Sequence, residues 1–213
     1  MIKQYSYKKD KNLKLAQNFI LKEHIAGTSP LRNLYETGKY DVLLVDDYLY
    51  PKVQMIREHF GCFVIITSGY RPASYNKSVN GATSSKHIEG CAVDIQVKGI
   101  HPIIVAMYCE KIGIKGIGLY AYSNNANEGF VHIDTRAEKY YWITYSDKAN
   151  YREIKTFMPE LMRGDTGYTV KILQRKLAIT QDGVFGQNTE SILYKKYQTR
   201  IVTMKTWERM FGT

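Results

Sequence analysis

Cysteine is scarce in this chain, and Cys62, Cys91 and Cys109 form no pair with metal-binding or disulfide spacing. An odd number of unpaired cysteines argues against a disulfide framework and against a thiolate-closed structural zinc site. All three read as buried thiols. There is no low-complexity run, and no apolar stretch is long enough to span a membrane. The opening M-I-K-Q-Y-S-Y-K-K-D lacks the apolar core of a signal peptide, so the expectation is synthesis in a cytoplasm without membrane insertion. Also missing are an Arg-rich helix and a strand that interleaves aromatic with basic residues. The net charge of +10 is therefore not read as a nucleic-acid site.

What is present is a folded composition, 44% hydrophobic and 23% charged over 213 residues, enough for one ordinary domain and a small one. The chemistry concentrates in S-K-H-I-E-G-C-A-V-D at 85–94 and F-V-H-I-D at 130–134. Together they offer His87, Asp94 and His132 as ligands to one metal ion. Two imidazoles and a carboxylate, with a fourth position open, is the composition of a catalytic zinc site. The same residue types also suit non-haem iron. A buried carboxylate is costly without a cation, which weighs against Asp94 being an ordinary strand residue.

Cys91–Val97 reads as a strand, with Gly90 allowing the turn that returns His87 toward Asp94. Residues 129–135 read as a second strand, on which Phe130, His132 and Asp134 share a face. Two adjacent antiparallel strands would then present Asp94 and His132 together. Elsewhere, the spacing predicts a helix from about Asp46 to Phe60, capped by Asp46 or Asp47, a buried strand at 62–67 and a helix over 102–112. Arg71, just after that strand, offers a bidentate fork to a carboxylate or carbonyl. His24, His59 and His101 are left outside the site.

These motifs, with T-S-G-Y-R-P at 67–72, Y-N at 75–76, G-I-G-L-Y at 116–120 and F-V-H-I-D-T-R at 130–136, resemble the M15 zinc peptidases. The similarity is to the D-Ala-D-Ala carboxypeptidase and peptidoglycan endopeptidase group, in its phage endolysin branch. The resemblance implies an α+β fold of the M15/hedgehog type with an antiparallel sheet, and Zn2+ held by His87, Asp94 and His132. It implies substrate contacts from Arg71 and Ser85. Such enzymes usually carry an acid three residues before the last ligand histidine, where this chain has Gly129. Asp134, on the His132 face, and Glu128, in A-N-E-G, are the remaining candidates for the general base. Asp134 is favoured over Glu128, with a supporting role beside His132 or a pairing with Arg136 as its alternatives.

After Trp142 the pattern changes. Residues 1–145 are expected to form the peptidase domain, 146–158 a linker and 159–213 a three-helix domain. Gly164, Asp165, Gly167, Leu173, Gln174, Asp182, Gly183, Phe185, Thr189 and Trp207 resemble a peptidoglycan-binding module, with Thr189 expected to cap a helix running to Gln198. The combined expectation is a zinc-dependent peptidase that cuts stem or cross-bridge peptides of peptidoglycan, reaching the wall through a holin-type release. Anionic wall polymers are a further expected contact of the basic surface. The competing expectation is a zinc-containing wall-binding protein without catalysis.

Overall fold

The computed structural model describes residues 1–25, 29–121, 129–144 and 151–211. The chain divides into two compact units, residues 1–154 and 155–213.

The first unit begins with β1 (Ile2–Ser6), α1 (Tyr7–Asp10), β2 (Lys14–Ala16), β3 (Phe19–Ile20), a 3-10 turn over Leu21–His24, α2 (Pro30–Glu36) and β4 (Val42–Asp46). β1 pairs with β4 and β2 with β3, both antiparallel. There follow α3 (Leu49–Phe60), β5 (Val64–Ser68), α4 (Ala73–Ser78), β6 (Ala92–Val97), α5 (Pro102–Lys111), β7 (Gly116–Tyr120), β8 (Phe130–Asp134), β9 (Tyr140–Thr144) and β10 (Tyr151–Ile154).

Among the described residues, these later strands form one six-stranded sheet in the order β10-β9-β7-β8-β6-β5. The sheet is mixed, which corrects the antiparallel expectation. The chain leaves β8, passes the end of β7 and enters β9 on its far side, so β7 and β9 run parallel. β10 extends the sheet antiparallel to β9, so the segment expected as a linker over 146–158 contributes an edge strand.

Alternation along the central strands decides what each face does. Val93, Ile95, Ile117, Leu119, Val131 and Ile133 are buried on one side, where α3 and α5 pack. The opposite side carries the polar residues in register. Ser68, Asp94, His132, Gly118 and Trp142 follow one another across the strands. Ala92, Asp134, Gly116 and Tyr140 form the next row.

The helix expected from Asp46 starts at Leu49, because residues 42–46 alternate in burial and are taken by pairing with β1. Asp46 accepts hydrogen bonds from Thr135 Oγ1 and Tyr48 N. Gly61 closes α3 with a φ of 61°, the left-handed conformation that glycine adopts without strain. Cys91 and Cys109 are buried as expected, whereas Cys62 is half-buried.

The second unit holds α6 (Tyr168–Leu177), α7 (Gln187–Tyr197) and α8 (Met204–Phe211). Val170, Leu173, Leu177, Phe185, Leu193 and Trp207 are buried together with Gln174. Gln174 Nε2 donates to Asp182 Oδ1 and Thr189 Oγ1, while its Oε1 accepts from Gly183 N, fastening the 182–186 turn to α6. Thr189 is thus a buried residue inside α7, and Gly186 occupies the cap position instead.

His24, excluded by sequence for want of a local partner, is fully buried. Nε2–H donates to Leu44 O at 3.1 Å, which leaves Nδ1 to accept from Tyr50 O–H at 3.1 Å. Its backbone carbonyl accepts from Tyr70 N and lies against Gly69, where any Cβ would collide with it. Burial, with a smaller contribution from His87, lowers its pKa to about 3. The unfolded chain takes up this proton near pH 6.5 and the folded protein does not, so this contribution is intact above pH 6.5 and is lost as pH falls. Between pH 6.5 and about 3 it should erode stability by roughly 1.4 kcal/mol per pH unit. Urea unfolding of the wild type and His24→Gln across that window should show the two curves converging on the acid side.

Candidate metal centre

Asp94 on β6 and His132 on β8 are direct cross-strand partners. His87 comes from the turn before β6, where Gly90 at φ 75° packs so closely on the Leu44 carbonyl that a Cβ would overlap it. The chain doubles back there, with Ile88 N bonded to Ser85 O and Cys91 N to Lys86 O. The result brings His87 Nε2 to 3.1 Å from His132 Nδ1 and 3.3 Å from Asp94 Oδ1, and His132 Nδ1 to 2.9 Å from the same Asp94 oxygen. Ligands about 2.05 Å from a tetrahedral zinc would be separated by about 3.3 Å, close to these distances.

The outer nitrogens show why these atoms suit a cation. His87 Nδ1 lies 2.7 Å from the Gly69 carbonyl, which can only accept, so Nδ1 carries the hydrogen and Nε2 presents its lone pair. His132 Nε2 lies 3.0 Å from Asp134 Oδ2, so that carboxylate holds the hydrogen at Nε2 and leaves Nδ1 as a second lone pair. Two imidazole lone pairs and a carboxylate oxygen then face one another in a buried site, an arrangement that calls for positive charge at its centre. These donors also form the cluster of His, Asp and His able to share an ion among the described residues. The residues present therefore fit a divalent metal of the zinc type.

The electrostatics agree in direction. Burial lowers the His87 pKa, only partly opposed by Asp94. Burial would do the same at His132, but hydrogen bonds with Asp134 and Asp94 outweigh it and raise the pKa to about 9, so a proton competes with a metal ion for Nδ1. Burial opposes ionisation of Asp94, yet His87 and His132 hold its carboxyl far below the usual range. Asp134 is likewise held low, by His132 and Arg136 against the cost of burial.

Asp134 was the favoured general base, and its geometry suits another task. Oδ2 accepts from His132 Nε2 and from Arg136 Nη2, and Oδ1 accepts from Arg136 N and Nε. Its side chain has no solvent exposure and lies on the far side of the His132 ring from the ligand atoms. That is the position of a carboxylate that orients a ligand histidine. Glu128, the other candidate, lies outside the described residues. Gly129 cannot hold the acid usual in the enzymes that the motifs resemble, because its φ is 85° and a Cβ would fall 2.0 Å from Tyr120 O.

A cleft of about 570 Å³ opens over the ligand atoms. Arg71, Ser85, Lys86 and His87 line it with Asp94 and His132, while Tyr120, Phe130, Tyr140 and Trp142 supply an aromatic wall beside Arg136. Arg71 and Ser85, the residues expected to contact substrate, thus both line the cleft. Arg71 Nε is buried without a hydrogen-bond partner among the described residues. Sequence reading missed the wall. Its signal was the alternation of Y-Y-W-I-T at 140–144, which sends Tyr140 and Trp142 to the ligand face and Tyr141 and Ile143 to the core.

Residues 39–134 match the family model described as Peptidase M15. That segment contains all three ligand candidates, Arg71, Ser85 and Asp134, but not Arg136 or the β9 wall. The chain is also similar to a Haemophilus influenzae protein named probable peptidoglycan L,D-endopeptidase MepK, at 32% identity over 99 residues. That similarity covers 43% of this chain and 50% of the relative, so the chain spans about half the length of the curated protein it matches.

The wall depends on a glycine in β7. A Cβ on Gly118 would lie 2.3 Å from the Trp142 ring, which leans on His132 with centroids 5.1 Å apart. Gly118→Ala should cost about 1–3 kcal/mol through overpacking. Thermal unfolding and near-UV circular dichroism should register a lower Tm and a changed tryptophan environment.

Proposed function

We propose that this chain is a zinc-dependent peptidase that hydrolyses an amide bond in the stem or cross-bridge peptide of bacterial peptidoglycan. The observation that carries the reading is the convergence of His87 Nε2, His132 Nδ1 and Asp94 Oδ1, with each imidazole locked in the ligating tautomer. The Peptidase M15 match and the similarity to a protein named as a peptidoglycan endopeptidase support the substrate class. Bound zinc would supply Lewis acidity at the scissile carbonyl and lower the pKa of water in the site.

The protein's own residues arrange the rest. Arg71 offers its guanidinium to a substrate carbonyl or carboxylate from the wall of the cleft, and Ser85 and Lys86 line the rim beside it. Tyr120, Phe130 and Trp142 exclude water from the opposite side and flank the path of an extended peptide. With both Asp134 oxygens engaged, proton transfer to the leaving amine falls to another group, and Glu128 is the residue we assign to it.

The second unit, with Gln174 and Trp207 in its core, is proposed to hold the enzyme on peptidoglycan. The net charge of +10 would add attraction to anionic wall polymers. Among the described residues no helix is long and apolar enough to cross a membrane. An endolysin-type role, with release to the wall through a holin, is part of the proposal.

A second reading is favoured by one specific observation: among the described residues lining the cleft, Asp94 is the one carboxylate, and it belongs to the ligand set. A wall-binding protein that keeps its metal without turnover would look the same. Mass spectrometry of peptidoglycan digests decides between them. The enzyme should generate new peptide termini that disappear with chelator, return with zinc and fall at least 100-fold in rate in Glu128→Gln. Intact muropeptides from several wall chemotypes, with zinc bound, would establish the non-catalytic reading.

A further inference from the structure

Arg136 follows the ligand strand directly and is half-buried at the edge of the cleft. Its guanidinium does not face the cleft as a free cation. Nε donates to Asp134 Oδ1 at 2.7 Å and Nη2 to Asp134 Oδ2 at 2.5 Å, a bidentate fork onto one carboxylate. The fork is held flat from its other side, with the guanidinium carbon 5.1 Å from the Tyr140 ring centroid and 5.5 Å from that of Trp142. The carboxylate so held accepts the Nε2 hydrogen of His132, whose Nδ1 is aimed at Asp94 and His87.

We propose that Arg136 is a positioning residue for the metal centre: it fixes the plane of Asp134, which fixes the ring orientation and tautomer of His132. The chain of contact runs from Tyr140 and Trp142 through Arg136 and Asp134 to His132. The role rests on the metal-binding reading of His87, Asp94 and His132.

Each link has a physical reason. A carboxylate bound only to His132 and one backbone amide could rotate about its Cβ–Cγ bond, carrying the acceptor off the Nε2–H axis. Two parallel guanidinium bonds remove that rotation, and a lysine, with a single ammonium centre, cannot. Partners that orient ligand histidines commonly carry a factor of 10–100 in metal affinity, although they never touch the metal. Gly116 makes room for this carboxylate, since a Cβ there would lie 2.0 Å from Asp134 Oδ1.

The test is zinc affinity of the full chain, measured by competition with a chromophoric chelator, alongside the Tm of the metal-free protein. Arg136→Met should bind zinc roughly 10–100-fold more weakly than wild type. Arg136→Lys should fall between the two, because it restores charge without the fork. The loss should nearly vanish in an Asp134→Asn background, a non-additivity that a general loss of packing would not produce. Unchanged zinc affinity in Arg136→Met would overturn the role, whether KM rises, as for a substrate contact, or the metal-free Tm alone falls, as for simple packing. A wild-type protein that binds no zinc would sink the metal reading itself, and this role with it. Should Arg136→Met not fold, Tyr140→Leu, which loosens the fork from behind, should still weaken zinc binding, and an unchanged affinity there would also count against the proposal.

Discussion

Two hydrogen bonds on the outer side of the candidate metal centre govern this molecule: His87 Nδ1–H to the Gly69 carbonyl and His132 Nε2–H to Asp134. By placing both hydrogens on the outer nitrogens they turn the inner ones into donors of electron pairs, and the Asp94 oxygen completes the set. Much of the first unit can be understood as the support of those two acceptors. Gly69 lies against the carbonyl of His24, which accepts from Tyr70 N, and the His24 ring is fastened by Tyr50 and Leu44. Asp134 is accommodated by Gly116 and clasped by Arg136. The ligands come from two strands and a turn, while their orientation comes from a wider ring of residues.

How much of this was legible in the sequence depended on the distance over which each signal acts. His87, Asp94 and His132 were readable because residue type and period-two alternation are local properties, and cross-strand register then brings Asp94 opposite His132. The helix expected over 102–112 was readable for the same reason and is observed as α5. The start of α3 was misplaced because residues 42–46 carry apolar side chains that fit a helical period as well as a strand. Only pairing with β1, some forty residues away, decides between them. The parallel placement of β9 is equally non-local, and with it went the aromatic wall.

His24 and Asp134 show a different limit. His24 finds no partner in its own stretch of sequence, and Tyr50 and Leu44 are supplied to it by α3 and β4. Asp134 shares the His132 face, which suggested chemistry, but the face alone does not reveal which nitrogen of the imidazole it meets. The tautomer is decided by Asp94 and Asp134 lying on opposite sides of one ring. Gly129 was visible as a departure from the pattern of the enzymes that the motifs resemble. Its reason, a positive φ tucked under the Tyr120 carbonyl, belongs to the fold.

Strand β8 carries two scripts on alternate letters. Val131 and Ile133 pack beneath the sheet, and His132 and Asp134 work above it. Mutational drift can therefore edit one without rewriting the other, provided the letters stay in phase. A single inserted residue would trade them, sending imidazole and carboxylate into the apolar layer and valine and isoleucine into the cleft. For this strand, a change of length is a graver event in evolution than a change of side chain.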